Sequence, residues 1–303
     1  MSNPHIEDSS HWDAALEHYH CDRLEAAYAE IRDFGIGEAG GYLRWYRVIE
    51  AETITRQKSQ RVDVNDWLKF EFVPLEVLDL REELANRIEK ACDEVARRLG
   101  WIHSEQTLFS ILAEETDAPW ASHPYGYCVH KEPYAKICLP NYLVDDPEEF
   151  SQAVAHEYAH VISENLADGY CSRWLEEALS VLVEQRFDEE TWRDFRDGIS
   201  PWRQADDLEL AIEGRTDDEE GRDEVWLAYQ QAGWIGRYMA SLGNEARLGR
   251  LLREVANESV AWNLRRTVRR QGRVEAALET VFGMSQRELF SNALAFLRDQ
   301  PGP

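Results

Sequence analysis

The sequence predicts an α+β fold, with a small mixed sheet in its middle third followed by a mainly α-helical C-terminal subdomain. Three observations predict it. Short runs of strand-forming residues are confined to the part before Pro140. Beyond residue 146 every periodic segment carries apolar residues at helical spacing. Glycine, proline and aspartate punctuate both regions at intervals that suit short connections. With 303 residues, 44% of them hydrophobic and 11% aromatic, the chain can bury a substantial core.

The elements follow in order. Residues 11 to 33 place Trp12, Leu16, Leu24, Tyr28 and Ile31 at helical spacing and run into the cluster of Gly35, Gly37, Gly40 and Gly41, so an N-terminal helical extension is expected there. Between Tyr42 and Pro74 the runs GYLRWYRVIEA and WLKFEFV read as short β-like stretches. Leu80 to Leu99 combines strong helix formers with amphipathic spacing and predicts a helix. TLFSILAEE, Thr107 to Glu115, and YAKICLP, Tyr134 to Pro140, predict strands on either side of the loop from Pro119 to Pro133. The helical half is expected to break near Asp168, Gly198 to Pro201, Arg215 to Gly221, Gly243 and Gly272. The expected organisation is an extension over residues 1–74, a central subdomain over 75–190 and a helical subdomain over 191–303.

Charge and cysteine content exclude several function classes. Fifty-eight acidic against 33 basic side chains give a formal net charge of -25, a field that repels nucleic acid and anionic membrane surfaces. Lysine is limited to Lys58, Lys69, Lys90, Lys131 and Lys136, so arginine carries most of the positive charge. Met1 to Ser10 lack the basic start and apolar core of a signal peptide, and no window approaches the length of a membrane span. A cytoplasmic protein is the expectation. Five cysteines, Cys21, Cys92, Cys128, Cys138 and Cys171, are odd in number and lack CxxC spacing, which predicts free thiols. Cys128 and Cys138 flank a plausible hairpin and are the one pair that a disulfide could join.

The chemistry concentrates in His156-Glu157-Tyr158-Ala159-His160. DDPEEF upstream is a helix start, with Asp146 as N-cap, Pro147 at the first helical position and Glu148 and Glu149 in the first turn. On that helix, positions 156 and 160 project from one face a turn apart, so both imidazoles can reach one ion at about 2.0 to 2.1 Å. Glu157 lies beside His156, where a carboxylate reaches an ion's water without ligating the ion. An HExxH pattern arises by chance in roughly 3 of 100 chains of this length and composition, so context must decide. Val154, Ala155, Tyr158, Ala159, Val161 and Ile162 surround the motif and would bury it, and unsatisfied buried polar groups cost about 1 to 3 kcal/mol each. A metal relieves that cost, whereas a solvated polar face does not fit the apolar flanks. After Asp168-Gly169 a second helix begins at RWLEEALS, and the short connection makes it an antiparallel neighbour that brings a carboxylate beside the histidines.

HEYAH followed by WLEEALSVLVE resembles the gluzincin metallopeptidases, in particular the aminopeptidase N-like and peptidase MA-like domains. The resemblance implies a zincin-like catalytic domain, one Zn2+ held by His156, His160 and Glu177, and Glu157 as general base. Glu176 stands where that family often has asparagine or serine. The metzincin pattern HExxHxxGxxH is not met, because Ser163 and Leu166 occupy its glycine and histidine positions. In the same family a tyrosine hydroxyl serves the tetrahedral intermediate, and Tyr229-Gln230-Gln231-Ala232-Gly233 matches that block, which makes Tyr229 the second catalytic candidate. Read without the family, Tyr229 is a core residue of an amphipathic helix. Ala232, Gly233, Gly236 and Ala240 form a small-residue face that predicts close approach of another helix. The family also implies that YAKICLP lies along the cleft as an exposed edge and pairs with an extended substrate. The Gly-x-Met-Glu-Asn motif that captures a free amino terminus is absent, which leaves endopeptidase and aminopeptidase action open.

The expected function is therefore zinc-dependent hydrolysis of a peptide or protein substrate, with a non-catalytic zinc-stabilised peptide- or protein-binding module as the alternative. His18 and His20 sit two positions apart on a helix and diverge, so they predict a solvated face rather than a second metal site. His123 and His130 precede the motif and could line a cleft. Arg265, Arg266, Arg269 and Arg270 form a basic cluster expected to pair with the protein's own carboxylates.

Overall fold

The computed structural model describes residues 4–32, 43–72, 80–112, 126–131, 134–213, 219–243, 245–257 and 266–303. The chain is mixed α/β, a small mixed five-stranded sheet accompanied by many helices. It forms two compact units that are not contiguous in sequence: Met1–Glu89 with His103–Phe150, and Lys90–Ile102 with Ser151–Pro303. Among the described residues no helix is long and apolar enough to cross a membrane.

In the first unit, the expected N-terminal helical extension consists of two helices, α1 (Pro4–His20) and α2 (Leu24–Ile31). Asp22 interrupts them at a φ of +54°, a left-handed conformation that aspartate tolerates better than most residues. Trp12, Leu24 and Ile31 are buried as their spacing predicts. The glycine cluster at 35–41 lies outside the described residues. GYLRWYRVIEA, expected to be β-like, instead opens helix α3 (Leu43–Lys58). Its residues suit either period, and packing decides: Tyr46 and Ile49 fall on one helical face and bury in a cluster with Trp12, Leu24 and Ile31.

The sheet contains β1 (Gln60–Asp63), β2 (Leu68–Phe72), β3 (Thr107–Ile111), β4 (Tyr127–Lys131) and β5 (Tyr134–Leu139), in the order β1-β2-β3-β5-β4. β2, β3 and β5 run parallel, while β1 and β4 pair antiparallel to their neighbours at the two edges. The connection from β2 to β3 carries α4 (Leu80–Leu99), at the predicted bounds. β5 is a strand as predicted and is buried along its whole length, but it is interior, flanked by β3 and β4. Its backbone is already paired on both sides, so the expected substrate-pairing edge is not β5; β4 is the edge strand on that side. All five cysteines are free thiols. The hairpin register sets Cys128 opposite Ile137 and Cys138 opposite Tyr127, so the two sulfurs leave opposite faces of the sheet and cannot bridge.

A buried ionic cluster joins this unit's helices to its sheet. Lys136 of β5, 1% exposed, pairs with Glu52 of α3 and lies 3.6 Å from Asp22. The hydroxyl of Tyr19 donates to Glu52 Oε1 at 2.6 Å, and that of Tyr127 donates to the same oxygen.

The second unit is helical: the C-terminal end of α4, then α5 (Pro147–Leu166, from Ser151 onward), α6 (Arg173–Glu184), α7 (Glu189–Asp197), α8 (Ala205–Ile212), α9 (Glu219–Ser241), α10 (Ala246–Ala256), α11 (Arg266–Phe282) and α12 (Gln286–Asp299). α5 stops where predicted, with Asp168 and Gly169 both at positive φ. The predicted break at Gly272 does not occur. α11 runs through it because Val274, Ala277, Leu278 and Val281 bury on one face, which outweighs the roughly 1 kcal/mol that a helical glycine costs. The small-residue face of α9 meets α6 as expected. A Cβ on Gly236 would stand 2.2 Å from the carbonyl oxygen of Ala178, and one on Gly233 would stand 2.4 Å from Val181 Cγ1.

Candidate metal centre

Helix α5 starts as its sequence dictates. The backbone N–H groups of Glu148 and Glu149 donate to Asp146 Oδ1, each at 3.0 Å, and Pro147 occupies the position that needs no N–H. Nine residues on, His156 and His160 present their rings from one face of α5, with Nε2 atoms 3.4 Å apart. The turn at Asp168-Gly169 returns the chain as α6, whose Glu177 directs Oε2 to 3.4 Å from His156 Nε2 and 3.6 Å from His160 Nε2. Among the described residues these three form the one cluster of His, Cys, Asp or Glu able to hold a metal ion.

The triangle has a quantitative meaning. Donors held tetrahedrally at about 2.0 to 2.1 Å lie about 3.3 to 3.4 Å from one another. The observed edges of 3.4, 3.4 and 3.6 Å match that spacing, and two imidazoles with one carboxylate are a donor set that suits zinc. His156 and Glu177 are buried, so the donors converge away from bulk water. The arrangement can hold a divalent ion on three protein atoms.

No family model matches the chain, and neither the curated proteins nor the solved structures contain a match to it.

Electrostatics set the protonation of the metal-free centre. Burial alone would lower the His156 pKa, but hydrogen bonds to Glu177 and Glu184 outweigh it and hold the imidazole well above the ordinary histidine value. Glu157, 4% exposed, is pushed up to about 7, chiefly by burial; the neighbouring His156 charge opposes the shift, while Glu177 and Glu184 add to it. A carboxyl near neutrality beside the donor triangle suits proton transfer.

The adjacent glutamates separate by orientation. Glu177 faces the histidines, whereas Glu176 accepts from the Arg173 guanidinium at 3.2 Å. Tyr229 is buried on α9, the helix packed against α6, and interacts electrostatically with Arg173. His18 and His20 are absent from any metal-capable cluster. His123 and Arg265 lie outside the described residues, as do the side chains of His130, Arg266, Arg269 and Arg270.

Sequence reasoning missed Glu184. Its Oε2 lies 2.8 Å from His156 Nδ1, which fixes the ring and turns Nε2 toward the triangle. A signal for it exists, because Glu177 and Glu184 are seven residues apart in WLEEALSVLVE and share a helix face two turns apart.

Proposed function

We propose that the chain is a zinc metallopeptidase of gluzincin type, with a zincin-like arrangement of α5 and α6. The supporting observation is the donor triangle itself: atoms from HExxH and from the following helix stand at zinc-ligand spacing in a buried setting. His156, His160 and Glu177 would hold the ion, which when bound would polarise a scissile carbonyl and acidify water at the centre.

Around that centre the chain's own groups have separate tasks. Glu157 accepts the proton of the attacking water and returns it to the leaving amine, a role that its buried carboxylate, one residue along α5 from His156, supports. Glu184 holds His156 through Nδ1, so that Nε2 carries a lone pair toward the centre. Tyr229, as the family resemblance implies, donates its hydroxyl proton in a hydrogen bond to the developing oxyanion, an interaction of the kind worth about 3 to 4 kcal/mol of barrier. The substrate is a peptide or protein.

Elemental analysis of the purified chain, followed by digestion of a peptide library with and without chelator, tests the proposal. One zinc per chain with chelator-sensitive cleavage is expected. Zinc without any cleavage would favour a metal-stapled binding module, and no stoichiometric metal would end both readings.

A further inference from the structure

We propose that two buried charged side chains outside the donor set, Glu209 and Arg98, are positioning residues that hold α6 at both ends and so register Glu177 and Glu184 against His156. The inference rests on the metal reading above. It begins from a helix that does not cap itself. Ser172 stands at the N-cap of α6, yet its side chain makes no capping bond. Glu209 of α8, 4% exposed, supplies the cap from another helix: Oε1 accepts from the backbone N–H of Arg173 at 3.0 Å, and Oε2 accepts from that of Trp174 at 3.1 Å. One carboxylate thus satisfies the first two orphan donors of α6.

At the other end Arg98, 7% exposed, donates to the carbonyl oxygens of Val183 at 3.1 Å and Leu182 at 3.3 Å. Glu245 grips the same guanidinium at 2.9 and 2.7 Å and fixes its direction. Negative charge therefore sits at the positive end of α6 and positive charge at its negative end, each complementing the helix dipole. Between the two clamps lie the carboxylate of the donor triangle and the carboxylate that orients His156. Neither can turn or slide by even one residue, about 1.5 Å along the axis, without opening edges that now match a metal's donor spacing. Burying two charges to fix a 12-residue helix exceeds what local capping requires, since a serine hydroxyl at position 172 could serve the N-terminus alone.

The test measures Co2+ and Zn2+ affinity of the full metal-free chain by competition with a chelating dye, together with the visible spectrum of the Co2+ form and the thermal midpoint. Glu209→Gln leaves only one acceptor for two backbone donors, and Arg98→Met keeps the apolar stem while removing the donors. Arg247→Met is the matched control, because its guanidinium likewise bonds two backbone carbonyls, Leu242 and Val281, at the start of α10. The expected result is one ion per wild-type chain, an affinity loss of about tenfold or more in each clamp variant with an altered Co2+ spectrum, and affinity within about twofold of wild type in the control at a similar loss of midpoint. Clamp variants that lose only thermal midpoint, with unchanged affinity and spectrum, would overturn the inference while leaving the metal reading intact. A wild-type chain that binds no ion would overturn both. If one clamp variant does not fold, the other decides.

Discussion

His156 Nδ1 lies 2.8 Å from Glu184 Oε2, and this contact gives the imidazole a defined role before any metal arrives. With Nδ1 committed to the carboxylate, Nε2 is the nitrogen left to face His160 and Glu177.

Removal of that carboxylate should weaken the centre without removing a ligand. Glu184→Ala is expected to lower zinc affinity by about 10- to 100-fold, and Glu184→Gln, whose amide oxygen still accepts from Nδ1–H, by less. Competition titration with a chelating dye checks both, and equal affinities in all three proteins would exclude the orienting role.

Glu157 and the ligands should separate cleanly in mutants. Glu157→Gln is expected to retain one zinc per chain and to lose about 10²-fold or more in kcat, the scale of general acid–base catalysis. His160→Ala should lose the zinc as well. Metal analysis beside peptide cleavage distinguishes them, and retained hydrolysis in Glu157→Gln would remove that residue from its assigned place.

Metal uptake should release protons. In the metal-free centre His156 holds its proton above the ordinary histidine pKa, because Glu177 and Glu184 together outweigh the burial penalty. A ligating imidazole must be neutral, so zinc has to displace that proton, and apparent affinity should rise as pH increases from 6 toward the raised value. Calorimetry in buffers of different ionisation heat counts the protons. A buffer-independent enthalpy at pH 6 would contradict this protonation state.

Stability in the first unit should depend on the ionic cluster as a whole. Burial lowers the pKa of Lys136, so its charge is sustained by its acidic partners. Glu52→Ala removes the nearer of the ammonium's two acidic partners and the acceptor shared by two tyrosine hydroxyls, and is expected to cost about 3 to 5 kcal/mol. The double variant Glu52→Leu with Lys136→Met should recover much of the loss. Chemical denaturation measures both, and additive losses in the double variant would argue against a coupled pair.

The physical origin of each residue's legibility differs. Local rules announced α4 over Leu80–Leu99, the Asp146 cap, the shared helix face of His156 and His160, and the small-residue stripe of α9, because capping and helical periodicity depend only on near neighbours. The same rules misread GYLRWYRVIEA, whose residues satisfy both periods until the burial of Tyr46 and Ile49 selects the helix. The edge position that the family resemblance implied for β5 also failed, since strand order is a matter of non-local pairing that the run YAKICLP does not encode.

The sequence by itself determined the helix-borne donor pair, the neighbouring carboxylate of Glu157 and the arrival of a second acidic helix, because covalent spacing and helix geometry leave those little freedom. Tertiary structure alone decided that Glu184 turns His156 and that Glu209 and Arg98 grip the ends of α6, and it set the Oε2 of Glu177, the glutamate that the family resemblance implied, within 3.6 Å of both histidines. Those outcomes depend on distances between helices separated along the chain, which no local pattern specifies.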